Sequence, residues 1–196
     1  MSLSFHRPSS PQSRRPSPKT SWEGVSDWYA DYLTRPGTVQ REIIFPGVMR
    51  LLCSKTQTHH LDIACGEGSF AAYLLGKTRL SFTGIDASPS LIAKAQKRHL
   101  LDTRFLAGDA KKFRHLFPET RFDTASCILA LQNIDDIKPV FQNTSSLLKT
   151  GAAFVFVLNQ LLIMVILNKF VVNFQIQCWI KLVKSHSIVY QAKKFT

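Results

Sequence analysis

The stretch Leu61-Asp62-Ile63-Ala64-Cys65-Gly66-Glu67-Gly68-Ser69-Phe70 decides how this chain folds. It opens as a short apolar run with one acid inside it and ends in two glycines, and the following Ser69 to Leu75 reads as a helix. A strand that turns through Gly-x-Gly directly into a helix is the first unit of a β-α-β fold. The glycines permit a tight turn and let the backbone approach a ligand closely.

The pattern continues outward from there. Leu80 to Ile85 reads as a strand, and Ser88 is suited to cap a helix that starts at Pro89 and runs to about Leu101. Arg104 to Ala107 is a third strand, Ala110 to Leu116 a short helix, and Phe122 to Leu129 a fourth strand. A helix from about Ile137 to Leu148, ending at Gly151, precedes a fifth strand at Ala152 to Leu158. Strands alternating with helices at this rhythm imply an α/β, Rossmann-like, doubly wound and mostly parallel sheet with helices on both faces. Upstream, Ser21 to Leu52 holds two helical stretches, at about 22 to 33 and 38 to 52, separated by Pro36-Gly37. Pro46-Gly47 is expected to kink or break the second.

In such a sheet the ligand lies beyond the carboxyl ends of the strands. Gly66 and Gly68 follow the first strand. Asp86 ends the second, 18 residues past Gly68, where a carboxylate can accept both hydroxyl hydrogens of a ribose. Asp109 and Ala110 follow the third, where carboxylate and backbone can address an adenine edge. Two cofactors fit an adenosine pocket of this kind. Gly66 to Ala71 satisfies G-x-G-x-x-A, the dinucleotide fingerprint, so an NAD(P)-dependent oxidoreductase is one reading. Asp62 separates the two, because an acid just before the turn disfavours a pyrophosphate and suits a sulfonium cofactor with a free amino group.

These residues resemble the class I S-adenosylmethionine-dependent methyltransferases. The family's first motif is matched by Asp62, Ala64, Gly66 and Gly68, with Ala64 where many members carry Gly. Its ribose acid is matched by Asp86 and its adenine-side acid by Asp109, beside Ala110. Phe122 to Ile134 is similar to the family's fourth strand and the loop lining the methyl-transfer site, which includes Leu129. Leu147-Leu148-Lys149-Thr150-Gly151 resembles its "LLKPGG" turn, departing at Thr150 and Ala152. Ser21 to Leu52 looks like the helical cap of bacterial members, with Trp28, Tyr29 and Gln40 placed to cover the cofactor. The resemblance spans about residues 21 to 159 and implies S-adenosylmethionine as cofactor and a small-molecule methyl acceptor. The sulfonium methyl is already electrophilic, so the protein's task is to align a nucleophile and exclude water. Asn133 is the candidate for contacting that nucleophile; the competing reading is that it caps the next helix.

Other polar residues carry plainer readings. Asp123 and the pair Asp135-Asp136 read as solvated or capping residues. His59-His60 reads as two surface histidines lacking a third ligand, so no metal site is expected. Lys111, Lys112, Arg114 and His115 read as a solvated helix face.

The 196 residues suit one domain, and 25 Lys and Arg against 13 Asp and Glu give a formal charge of +12. Such an excess raises the question of nucleic-acid partners. Its location answers it: nine of the twelve excess charges lie in residues 1–20 and 151–196, neither of which holds an acid. The centre, residues 21–150, is near balance with 16 basic and 13 acidic residues, which disfavours a basic nucleic-acid groove. Four cysteines without C-x-x-C spacing, and no apolar signal segment, suggest a reducing, cytoplasmic setting.

The chain divides into a disordered basic Ser/Pro-rich tail (1–20), a methyltransferase core (21–158, with its cap at 21–52) and an atypical hydrophobic and basic tail (159–196). The first tail also resembles a transit peptide, although its four prolines oppose the amphipathic helix such peptides form. After Asn159 the family pattern stops, and a stretch without Pro, Gly or acid begins. It reads as a truncated chain with an unrelated terminus, in which the last strands of the full fold are missing or replaced. That leaves a catalytically impaired cofactor-binding remnant or interaction protein as an alternative. Residues 150–168 are uncharged and flanked by Lys149 and Lys169, long enough for a membrane span. Asn159-Gln160 at the centre and the need for a fifth strand disfavour membrane contact there.

Overall fold

The computed structural model describes residues 26–52, 59–166, 169–184 and 187–194, beyond residue 158 as backbone alone. The expected tail at residues 1–20 lies outside the described residues.

Five strands, β1 (His59–Ile63), β2 (Ser81–Asp86), β3 (Thr103–Ala107), β4 (Phe122–Ile128) and β5 (Leu148–Ile166), pair in parallel in the order β3-β2-β1-β4-β5. The order reverses at β1, so β1 and β4 flank the switch point. Between them run α3 (Ser69–Leu75), α4 (Pro89–Gln96) and α5 (Lys138–Leu147), preceded by α1 (Ser26–Thr34) and α2 (Phe45–Leu52). Strand and helix readings hold in kind and order, and the ends differ for local reasons. The helix from Pro89 stops at Gln96, because the chain then enters left-handed backbone at His99 and Asp102. The short helix before β4 is a single 3-10 turn, Phe113–Leu116. The helix before β5 ends at Leu147, since Leu148 is already extended and pairs with Phe122; Gly151, at φ 78°, sits where the register then shifts.

Pro46 does not break the second upstream helix. The chain runs from a π-helical turn, Gln40–Ile44, straight into α2, and Phe45 between them stays helical. Proline offers no N–H to the carbonyl four residues back and crowds it. A wide turn immediately upstream accommodates both effects.

Two apolar cores lie on opposite faces of the sheet. Ile44, Phe45, Val48, Phe70, Leu74 and Ile92 from the helices pack with Phe82, Phe105 and Val155 on one face. Phe113, Phe117, Val140 and Leu147 pack with Leu61, Ile63, Ile85 and Phe154 on the other. Alternation along each strand assigns the faces.

Beyond β5 the sheet continues with β6 (Lys169–Lys184) and β7 (Ser187–Lys194), both antiparallel to their neighbours. Only residues 167 and 168 separate β5 from β6, so no crossover helix intervenes. The region where the final strands are expected to be missing or replaced holds this antiparallel pair, directly after β5. The uncharged run at 150–168 falls mostly within β5, and among the described residues no helix is long and apolar enough to cross a membrane.

Candidate functional site

Three strand-to-helix turns converge at the carboxyl ends of β1, β2 and β3. The first begins at Ala64, whose φ of 58° is left-handed, and continues through Gly66 at φ 57°. A Cβ on Gly66 would point into open space, so bare backbone borders the cavity there. The second turn is anchored by Asp86: its Oδ2 accepts the N–H of Gly66 at 2.9 Å and its Oδ1 accepts the N–H of Ser88 at 2.9 Å. Ser88 in turn caps α4, accepting the N–H of Leu91 at 3.2 Å. The third turn is tied back when the N–H of Gly108 donates to the carbonyl of Asp86 at 2.9 Å.

These turns, with the loop after β4, enclose a cavity of about 370 Å³. Of the residues singled out from sequence, Ala64, Gly66, Asp86, Asp109, Ala110, Leu129 and Asn133 line it. Leu129, which has φ 55°, closes one wall together with Ile128. Asn133 is exposed at the end of a 3-10 turn, and it does not cap α5, which starts at Lys138. Asp109 does serve its own turn, its Oδ1 accepting the N–H of Lys111 at 2.8 Å. Gly68, at φ 82°, lies behind the wall, against Ala95 and Phe105. Tyr29 lies in α1, and its side chain is outside the described residues.

Asp62 faces an adjoining cavity of about 60 Å³ that shares Ala64, Gly66 and Ile128 with the first and is covered by Gln40 and Phe45. Within it the Gln40 Oε1 is buried and has no hydrogen-bond partner among the described residues. Asp62 is 3 % exposed, and burial pushes its carboxyl up to about 7, with the Ser126 hydrogen bond opposing and the charges of Asp86 and Glu67 reinforcing the shift. Burial likewise raises the Cys65 thiol well above its ordinary range. Glu67 is buried under the glycine turn and pairs with Arg98 at 3.1 Å. A larger, more open cavity of about 920 Å³ lies at the amino ends of the strands, lined by Lys77, Arg79 and Asp102, away from all three turns.

One reading needs correction. His60 is no surface residue: it is fully buried, with Nδ1 2.8 Å from Thr124 Oγ1 and Nε2 2.9 Å from Ser126 Oγ. Burial drives its imidazole down to about 3, so the ring is neutral at any ordinary pH. No group of metal-ligating side chains forms among the described residues. Asp135, read as solvated or capping, is 82 % exposed and accepts the N–H of Asp136 at 3.0 Å, and it also stands at the rim of the 370 Å³ cavity, paired with Lys111 at 2.8 Å. Lys111 therefore bridges two loops instead of facing solvent alone, and its ammonium holds the Asp135 carboxyl below the usual carboxylate range. Asp123 accepts the N–H of His59 at 2.9 Å and an ion pair from Lys149 at 2.7 Å, well away from the cavity.

Residues 61–151 match the family model for a methyltransferase domain. The chain is 31 % identical over 106 residues to the O-methyltransferase resE of Aspergillus sclerotiorum, covering 52 % of this chain and 39 % of that one. It thus spans about two-fifths of the length of that curated relative. Among solved structures, the plantazolicin methyltransferase BpumL, in complex with a triazolic desmethyl-plantazolicin analogue and S-adenosylhomocysteine, superposes with a TM-score of 0.59 at 22 % identity, covering 71 % of this chain and 56 % of that one. An S-adenosylmethionine-dependent methyltransferase from Clostridium acetobutylicum superposes with a TM-score of 0.55 at 17 % identity, covering 89 % of this chain and 80 % of that one. The structural likenesses establish the fold.

Proposed function

We propose that this chain, built on a class I methyltransferase domain over residues 61–151, binds S-adenosylmethionine at the strand carboxyl ends and transfers its methyl group to a small-molecule nucleophile. The observation that carries the reading is the pair of adjoining cavities that share Ala64, Gly66 and Ile128. One has the size and lining for an adenosine, between Asp86, Asp109 and the apolar Leu91 and Leu129. The other offers Asp62 and Gln40 Oε1, which has no partner among the described residues, two acceptors suited to an ammonium group. The acids Asp62, Glu67 and Asp86 outnumber Arg98 around the glycine turn, which opposes a pyrophosphate and so disfavours the dinucleotide reading.

The sulfonium cofactor supplies an electrophilic methyl group when bound. The residues of the chain then have three tasks. Asp86, already held by two backbone N–H groups, retains lone pairs for ribose hydroxyls. Gly66 lets the backbone lie against the ligand without a side chain between them. Asn133, at the open rim, can hold an incoming hydroxyl or amine in line, and the apolar wall excludes water from its path.

The test incubates the full chain with methyl-labelled S-adenosylmethionine and a panel of small phenols and amines, and measures S-adenosylhomocysteine release. Acceptor-dependent release is expected. A folded chain that neither binds the cofactor nor releases product contradicts the proposal, and binding without turnover points to the impaired remnant.

A further inference from the structure

The two strands at the switch point place four polar side chains in a row inside the apolar core. His60 stands opposite Thr124 and Asp62 opposite Ser126 in the β1–β4 register. Alternation puts all four on one face, so they interleave as Thr124, His60, Ser126, Asp62. Consecutive members lie 2.8, 2.9 and 2.5 Å apart, and each is buried. The His60 ring is also packed between Phe70 and Phe82, at 6.0 and 5.2 Å between ring centres, which fixes its plane.

Burying four polar side chains beside phenylalanines is costly unless every group is satisfied. The row satisfies its inner members in either of two directions. With Asp62 ionised, Ser126 Oγ–H donates to Asp62, His60 Nε2–H donates to Ser126, and Thr124 Oγ–H donates to His60 Nδ1. With Asp62 neutral, its own O–H donates to Ser126, Ser126 donates to His60 Nε2, and His60 Nδ1–H donates to Thr124. The second state holds one proton more, on Asp62, and the imidazole has exchanged its Nε2 proton for one on Nδ1 while staying neutral. No heavy atom has to move.

The groups around Asp62 come from every element packed on it. β4 supplies Ser126, the end of β2 supplies the Asp86 carboxylate, and the glycine turn supplies Glu67, paired to Arg98, and the Cys65 thiol. The π-helical turn supplies the neutral Gln40, and Phe45 and Phe70 supply uncharged surface. Arg98 is engaged with Glu67, so a cationic ligand is the natural counter-charge for Asp62.

We propose that Thr124, His60 and Ser126 form a hydrogen-bond wire that positions the Asp62 carboxyl for the cofactor's amino group, and that the His60 ring switches tautomer as Asp62 gains or loses its proton. The ligand half of this rests on the methyltransferase reading; the wire itself does not. His60 and Ser126 are positioning residues, acting through Asp62.

Nuclear magnetic resonance of the full chain with isotopically labelled histidine nitrogens reads the tautomer directly. In the free protein, His60 is expected as the Nδ1–H form at about pH 5 and as the Nε2–H form at about pH 9, with the change centred where Asp62 titrates. Saturating S-adenosylhomocysteine at about pH 6, with binding confirmed by calorimetry, is expected to drive it to Nε2–H. Ser126→Ala should abolish the dependence, and Ser126→Thr should restore it. In Ser126→Ala the midpoint of the pH dependence of S-adenosylhomocysteine affinity should also rise by about one pH unit, because Asp62 loses a donor to its charged form. A free-protein tautomer that stays fixed across that pH range overturns the wire. Binding of S-adenosylhomocysteine that leaves the tautomer unmoved overturns the positioning role. A tautomer that follows pH in a protein showing no heat with S-adenosylhomocysteine upholds the wire and overturns the cofactor reading alone.

Discussion

The backbone N–H of Gly66 donates to Asp86 Oδ2 at 2.9 Å, so the glycine turn after β1 and the carboxylate after β2 are a single built unit. Asp86→Ala removes an acceptor from Gly66 and from Ser88 as well as from a bound ribose. Losing hydrogen bonds to a charged group costs about 1.5–3 kcal/mol. S-adenosylhomocysteine affinity is therefore expected to fall by more than about tenfold, with a measurable loss of thermal stability. Asp86→Asn, which keeps one acceptor oxygen, should fall between the parent and Asp86→Ala in both readouts.

Ala64 at φ 58° pays a backbone cost that glycine would not. A left-handed L-residue costs about 1–2 kcal/mol, partly offset by the greater unfolded freedom of glycine. Ala64→Gly should stabilise the chain by about 1 kcal/mol in urea denaturation. A destabilised variant would mean that the Ala64 methyl group contributes more packing than strain.

Gly84 lies where β2 passes β1. A Cβ there would lie 2.7 Å from Cys65 Sγ and 2.8 Å from Phe105 Cδ1. Gly84→Ala should cost about 1–3 kcal/mol through overpacking. Adding Cys65→Ala should recover part of that loss, since it clears the nearer atom while Phe105 remains. Full additivity of the two losses in a double-mutant cycle would contradict the contact.

Asp62 and His60 act oppositely on stability as pH changes. The Asp62 carboxyl is raised to about 7, so its contribution is present below its ordinary value near 3.8 and is lost as pH rises to 7. The His60 imidazole is lowered to about 3, so its contribution is present above 6.5 and is lost as pH falls toward 3. Each is worth a few kcal/mol, and between about pH 4 and pH 6.5 they offset one another. Asp62→Asn removes one side of the balance. Its stability should fall more steeply than the parent's as pH drops from about 6.5 to about 4.5, measured by urea denaturation at each pH. An unchanged slope would contradict the opposing pair.

The order of the five strands' elements and most of the cavity wall were legible in the sequence. Glycine turns and strand-end acids at Gly66, Asp86 and Asp109 mark where a β-α-β chain turns, and local chemistry fixes each of them. What escaped depends on pairing across the sheet. His60 and Thr124 are 64 residues apart, and only the β1–β4 register makes them neighbours. The signal was present as His-x-Asp on one strand and Thr-x-Ser on the other, polar residues at strand spacing on a face that should be apolar. Lys111 and Asp135 were missed for the same reason, since their pair joins loops after β3 and β4. The hairpin after β5 follows from a long apolar run with β-branched residues, but its register is a property of the sheet edge.

The central claim is a sulfonium-cofactor site at the strand carboxyl ends, and calorimetric titration of S-adenosylmethionine into the full chain, shown folded by circular dichroism, tests it most directly. The account predicts saturable binding at one site, weakened by Asp86→Ala, with no heat from a reduced nicotinamide dinucleotide. A folded chain that gives no heat with S-adenosylmethionine, or that binds the dinucleotide in its place, would contradict it.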